Sequence, residues 1–169
     1  MRQEIKNKIR EKRRFFIGLA VAVAAIIADR ITKNAILGLG KIFSENGQIV
    51  VCPGLNGVLE VNRGIAFGVF NGGYFENFMP IFFLIFSTAI VLYILCLFWN
   101  DPNNCAAEYS LFIGGGIGNI IDRITIGAVT DFLDFYIGKY HWPAFNLADS
   151  FICIGVFLFL LKEIIKKKK

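Results

Sequence analysis

The chain has 169 residues, of which 56% are hydrophobic and 18% charged, with 18 phenylalanines and a formal net charge of +5. Soluble domains carry about 45–50% apolar residues even with glycine counted, and about 25% charged residues. A water-exposed globule of this size would have difficulty covering so much apolar surface. The same figures exclude a disordered chain, a collagen-like repeat and a disulfide-stapled secreted module. An integral membrane protein remains.

Four apolar stretches are long enough to cross a membrane as helices, because about 20 residues span the hydrocarbon layer. The second stretch is the clearest, since residues 79–99 include no charged side chain. The other three carry polar residues inside or near their ends. We predict an α-helical polytopic membrane protein with one membrane-embedded domain over residues 1–169. Its four spans are expected at 15–36, 78–99, 109–126 and 147–165.

Basic residues cluster at both ends of the chain. Seven of the 18 Lys and Arg residues precede Phe15, and five lie within 162–169. Basic flanks favour the cytoplasmic side, so both termini are expected to be cytoplasmic, with the first span as a signal anchor and not a cleaved signal peptide. Attraction to lipid headgroups explains these tails better than nucleic-acid binding does.

Two outer segments, 37–77 and 127–146, would connect the spans outside the cell. In the first, β-branched runs at 48–51 and 58–61 are separated by Pro-Gly and Asn-Gly pairs, which predicts a small strand-turn-strand element. The second includes Tyr140 and Trp142, side chains that suit a membrane interface.

Four aspartates are predicted to lie at one depth. Asp29 and Asp122 lie roughly 20 Å into their spans at ~1.5 Å per residue, and the hydrocarbon layer is ~30 Å thick. Asp149 opens the fourth span, which runs inward, and Asp131 follows the third span by a few residues. An ion pair, such as Asp122 with Arg123, would explain one such carboxylate. Four carboxylates near the outer face are more than one ion pair explains, and they indicate a functional site.

Most catalytic chemistries lack the residues that they need. His141 is the only histidine, so a zinc site and a Ser-His pair are both excluded. The four cysteines lack metal or redox spacing and are expected to be small apolar core residues. The glycines at 114–118 favour close helix packing over nucleotide binding. No metal and no cofactor are expected. A pair of aspartates remains, sharing one proton so that one carboxylate deprotonates water and the other polarises a scissile carbonyl.

Five sequence blocks, in chain order, make the chain similar to the lipoprotein signal peptidase family (signal peptidase II), the bacterial intramembrane aspartyl proteases. Two departures from the family pattern are Arg30, which replaces the usual Gln and puts a cation near Asp29, and Ile65, which replaces a smaller residue. The blocks are DRITK (29–33), NRGIAFG (62–68), GNIIDR (118–123), VTDF (129–132) and FNLAD (145–149).

The resemblance implies that Asp131 and Asp149 are the catalytic aspartates. Roles around the pair and the substrate are implied for Asn62, Gly64, Asn119, Arg123 and Asn146, and supporting structural roles for Asp29, Lys33 and Asp122. The implied substrate is a prolipoprotein with diacylglycerol on its lipobox cysteine, cut just before that cysteine. The implied site is the outer leaflet of the bacterial cytoplasmic membrane, with membrane lipid as the other partner. A monomer is expected, with no nucleic-acid partner.

Two other classes stay open at this point. A small proton or ion transporter would also use buried Asp and Arg, but would place them near the midplane of the membrane. A non-enzymatic assembly protein would tolerate the loss of either Asp131 or Asp149.

Overall fold

The computed structural model describes residues 1–64, 74–100 and 106–167; Ile65 and Cys105 lie outside them. The described part is mostly helical and carries one small antiparallel sheet. The helices are α1 (Arg2–Gly38), α2 (Gly40–Asn46), α3 (Tyr74–Asn100), α4 (Ala106–Ile126) and α5 (Leu147–Lys167). The strands are β1 (Ile49–Cys52), β2 (Leu55–Asn62), β3 (Val129–Ile137) and β4 (Tyr140–His141).

The four long helices overlap the four predicted apolar stretches, although α1 begins well before residue 15 and includes the basic N-terminal segment. Within the described ranges, two helices are long and apolar enough to cross a membrane by length and composition alone: α1, and α3 over residues 78–100. The short helix α2 was not predicted.

Helix α4 lies at the centre and packs against α1, α3 and α5. Its glycines make these approaches possible. A methyl group at Gly114 would lie 2.8 Å from the carbonyl oxygen of Ala22 in α1. Methyl groups at Gly115 and Gly116 would overlap Ala148 O in α5 and a Val91 methyl in α3. Three consecutive glycines therefore face three different helices, which confirms the predicted packing role.

The described cysteines do not belong to the core. Cys52, Cys96 and Cys153 are all exposed at the protein surface, so the prediction that they fill the interior is wrong for these three. The interior cluster is instead built from Ala22, Val91, Phe98 and Ile113, and many large apolar side chains, among them Ile85 and Phe157, point outward.

The sheet joins the two outer segments. Its strand order is β1-β2-β3-β4, and all pairs are antiparallel. The β1–β2 hairpin confirms the predicted strand-turn-strand element. Strand β1 is shifted by one residue from the predicted run, and β2 extends beyond its predicted run at both ends. Strand β3 was not predicted; it pairs with β2 so that Val61 faces Thr130 and Glu60 faces Asp131. This register brings the end of β2 beside the start of β3.

Candidate active site

Asp131 is held at the start of β3 by two asparagines. Gly127, at φ 69°, separates α4 from this strand and adopts the left-handed conformation that commonly ends helices. The Asp131 side chain is buried, and its two oxygens accept hydrogen bonds from Asn62 Nδ2 at 3.0 Å and from Asn146 Nδ2 at 2.7 Å. Asn62 is itself fixed, because its Oδ1 accepts a hydrogen bond from the Gly64 N–H at 2.9 Å.

Asp149 belongs to the N-terminal cap of α5. Asn146 precedes the helix, and its Oδ1 accepts a hydrogen bond from the Asp149 N–H at 2.9 Å. In return, Asp149 Oδ2 accepts a hydrogen bond from the Asn146 N–H at 3.1 Å. This reciprocal arrangement is a capping box, which satisfies two backbone donors that a helix end leaves free. The cap fixes the orientation of the Asp149 carboxylate.

Asn146 connects the two aspartates directly. Besides capping α5, its fully buried side chain donates from Nδ2 to Asp131 Oδ1 and, at 3.2 Å, to Asn119 Oδ1. Asn119 in turn donates from Nδ2 to Asp149 Oδ1 at 2.7 Å. Asp131 and Asp149 therefore share one hydrogen-bond network although they lie on a strand and a helix.

Arg123 places a positive charge near this network. Its guanidinium lies 6.0 Å from the centre of the Phe83 ring, within the range of a cation–π contact. It interacts electrostatically with Asp149 and Asp131. This charge is placed to stabilise the ionised member of the pair.

Asp131 holds its proton more strongly than an ordinary aspartate. Burial raises the pKa of Asp131 to about 6, and the nearby charge of Asp149 acts in the same direction. The hydrogen bonds from Asn62 and Asn146 act against this rise, because they stabilise the ionised carboxylate. Such a carboxyl group can exchange a proton close to neutral pH, as general acid–base catalysis requires.

The remaining predicted residues form a buried ion cluster beside the pair. Lys33 Nζ lies 3.1 Å from Asp29 Oδ2 and 2.8 Å from Asp122 Oδ2. It also donates to Asn119 Oδ1 at 3.1 Å, which links the cluster to Asp149. Gly118 makes room for this arrangement, because a methyl group there would lie 2.7 Å from Asp29 Oδ2.

The structure thus brings the predicted site residues into one region and adds contacts that sequence reasoning missed. Arg30 lies 3.0 Å from Asp29 Oδ2, which confirms the cation expected there, and its contact with Asp122 Oδ1 at 2.6 Å was not predicted. The backbone N–H groups of Thr130 and Ala148 donate to Asp122 and Asp29. The sequence did indicate that Arg30 lies beside Lys33, because residues three apart on a helix are neighbours on its surface.

A cavity of 1210 Å³ opens beside Asp149. Aromatic side chains from β3, β4 and the segment before α5 form much of its wall, including Phe135, Trp142 and Phe145. Apolar walls with one carboxylate suit a ligand that is itself largely apolar.

Comparisons with known proteins agree over most of the chain. The family model described as signal peptidase (SPase) II matches residues 21–165, which include every predicted site residue. A lipoprotein signal peptidase of Oleidesulfovibrio alaskensis is 42% identical over 151 residues, covering 88% of this chain and 94% of the relative. One of Paraburkholderia phymatum is 39% identical over 147 residues, covering 86% of each. A solved structure described as a bacterial membrane enzyme is similar with a TM-score of 0.69 at 30% identity, covering 90% of each chain.

Proposed function

The chain belongs to the signal peptidase II family, and we propose that it removes signal peptides from prolipoproteins as an aspartyl endopeptidase of the bacterial cytoplasmic membrane. One observation carries the aspartyl assignment: Asp131 and Asp149 are both bound by Asn146, within a single hydrogen-bond network. Membership of a protease family sets aside the transporter and the assembly protein.

The proposed substrate is a prolipoprotein that carries diacylglycerol on its lipobox cysteine, cut at the peptide bond before that cysteine. The names of the curated relatives support the lipoprotein class. The aromatic cavity beside Asp149 supports an apolar substrate segment next to the catalytic pair. Purified protein incubated with a diacylglyceryl-modified prolipoprotein should therefore release the signal peptide, which a gel shift detects.

In the proposed mechanism the pair carries one proton. The ionised carboxylate accepts a proton from a water molecule, whose oxygen bonds to the scissile carbonyl carbon, while the protonated carboxyl donates a hydrogen bond to the carbonyl oxygen. Collapse of the tetrahedral intermediate breaks the carbon–nitrogen bond, and the leaving amine takes a proton from the pair. Asn62, Asn119 and Asn146 hold the carboxylates in place throughout, since all three donate side-chain hydrogen bonds to them.

The pH dependence should report the proton on Asp131. Because the pKa of Asp131 is raised to about 6, we expect kcat/KM to fall as the pH rises through that value and the shared proton is lost. The Asn62→Ala variant lacks a donor that stabilises the ionised carboxylate, so its alkaline limb should move to higher pH. Rates of prolipoprotein cleavage between pH 4 and pH 9 measure both effects. A limb that moves to lower pH in the variant would contradict the assignment.

We further propose that all four long helices cross the membrane, that both termini are cytoplasmic and that the sheet lies outside. The distribution of charge supports this orientation, since 12 of the 18 basic residues lie before residue 15 or within residues 162–169. A monomer is proposed as the active unit. The proposal includes membrane lipid as a partner, and neither a nucleic acid nor a cofactor.

Single cysteines in a cysteine-free background test this topology. In intact cells, a cysteine at Gln48 should react with a membrane-impermeant maleimide, and one at Lys167 should be protected until the membrane is permeabilised. The reverse pattern of labelling would show that the chain is inverted in the membrane.

A further inference from the structure

The residue before each catalytic aspartate is held in the same way. The N–H of Thr130, which precedes Asp131, donates to Asp122 Oδ2 at 3.0 Å. The N–H of Ala148, which precedes Asp149, donates to Asp29 Oδ1 at 3.1 Å. Two buried carboxylates therefore hold the two backbone segments that carry the catalytic pair.

Two cations bridge these carboxylates. Lys33 contacts both of them, and its Nζ also donates to Asn119, so its three donors all have acceptors. Arg30 Nη2 forms a second bridge, 3.0 Å from Asp29 Oδ2 and 2.6 Å from Asp122 Oδ1. The side chains of Asp29 and Lys33 are 0% and 1% exposed, and that of Arg30 is 24% exposed.

The charges of this cluster balance only when Arg30 is included. Two carboxylates and two cations sum to zero, whereas without Arg30 these side chains would carry one net negative charge, offset only by the electrostatic interaction of Asp122 with Arg123. An uncompensated buried charge is strongly unfavourable. Arg30 also has a cost of its own, because its Nε is buried without a hydrogen-bond partner among the described residues. The ion pairs of Arg30 with Asp29 and Asp122 act against the cost of this unsatisfied Nε.

We propose that Arg30 is a positioning residue for catalysis: with Lys33 it ties Asp29 to Asp122, and through the N–H groups of Ala148 and Thr130 it sets the separation of Asp149 and Asp131. We call these four charged side chains, Asp29, Arg30, Lys33 and Asp122, the clasp. The proposal rests on the proposed function, because it assigns Arg30 a role in the reaction of that same pair. Arg30 acts through the clasp and does not contact the reacting atoms.

The test compares Arg30→Met with Arg30→Lys and with the control Arg10→Met, which removes an exposed arginine from the same helix. A small displacement of catalytic groups can reduce the rate by about 10²-fold. We expect kcat per folded protein to fall at least tenfold in Arg30→Met, with KM within about twofold of wild type. Arg30→Lys keeps the charge and should recover most of the loss, and Arg10→Met should match the wild type.

A double variant tests the path of the effect. If Arg30 acts through Asp122, adding Arg30→Met to Asp122→Asn should reduce kcat by much less than it does alone. Full additivity of the two losses would overturn the proposal, as would a wild-type kcat in Arg30→Met.

Amide hydrogen exchange separates this proposal from the proposed function, because it needs no substrate. Arg30→Met should speed exchange at the N–H groups of Thr130 and Ala148 relative to Arg10→Met. If the wild type failed to cleave prolipoproteins while this faster exchange was observed, the proposed function would fall and the clasp would stand as a structural device. Unchanged exchange at both amides would overturn the clasp even in an active enzyme.

Discussion

Asp131→Asn and Asp149→Asn are each expected to abolish prolipoprotein cleavage while leaving the protein folded in the membrane. Asparagine is nearly the same size as aspartate, but it cannot take up or release the proton that the pair must exchange. General acid–base steps contribute about 10²–10⁴-fold, and the loss of either member should cost at least that much. The measurement is the rate of cleavage by each purified variant, normalised to folded protein.

The double variant and a matched control make this result specific. Because the two carboxylates act as a unit, Asp131→Asn with Asp149→Asn should be little slower than either single variant. Asp134 lies on the same strand as Asp131 and is also buried, but its carboxylate contacts Asn56 and His141 instead of the proposed catalytic network. Asp134→Asn should therefore retain turnover per folded protein. Near-normal turnover by either catalytic variant would refute the aspartyl mechanism.

Gly115→Ala is expected to displace Asp149 and to destabilise the fold. The added methyl group would overlap the carbonyl oxygen of Ala148, and it would lie 2.9 Å from a side-chain carbon of Ile152. Because the first obstacle is backbone, α5 must move away from α4, and its first turn carries Asp149, the proposed catalytic residue. Overpacking of this kind costs about 1–3 kcal/mol, and misplacement of the carboxylate should reduce kcat by about 10²-fold.

Gly38→Ala is the matched control for this variant. Gly38 also lies in a helix, and a methyl group there would meet nothing within 4 Å. The Gly38→Ala protein should unfold in detergent at or slightly above the wild-type temperature, because alanine favours a helix where it meets no obstacle, and it should cleave at the wild-type rate. A Gly115→Ala protein with wild-type stability and kcat would show that the close approach of α4 and α5 does not position the site.

The helical part of the fold could be predicted because it depends on local composition. About 20 apolar residues satisfy their own backbone hydrogen bonds as a helix and match the membrane thickness, so the four long helices follow from four apolar stretches. The ends of these helices were less predictable. Helix α1 continues back to Arg2, since a basic segment can stay helical without any apolar pattern to mark it.

Strand β3 and its pairing could not be predicted from local patterns. The partner of β3 is β2, more than 60 residues earlier in the chain, and strand pairing over such a distance depends on how the helices bring the outer segments together. This pairing places Asn62 on Asp131. The resemblance to a family identified both residues, but only the structure supplies the contact between them.

The capping box could have been predicted from the sequence. In the clasp, the spacing of Arg30 and Lys33 places two cations side by side, but the carboxylates that they contact could not be predicted. Asn146 and Asp149 have the three-residue spacing of a reciprocal cap immediately before an apolar run. The Arg30–Asp122 contact joins two helices, and nothing in the spacing of either helix indicates which carboxylate an added cation will meet.

A gel-shift cleavage assay with purified protein in lipid bilayers is the most direct test of the proposed aspartyl peptidase activity. The substrate is a diacylglyceryl-modified prolipoprotein, and the comparison is between the wild type and Asp149→Asn. The wild type is expected to release the signal peptide, and the variant, equally folded, is expected to leave the precursor intact. Cleavage by the variant at the wild-type rate, or an intact precursor with the folded wild type, would contradict the proposed activity.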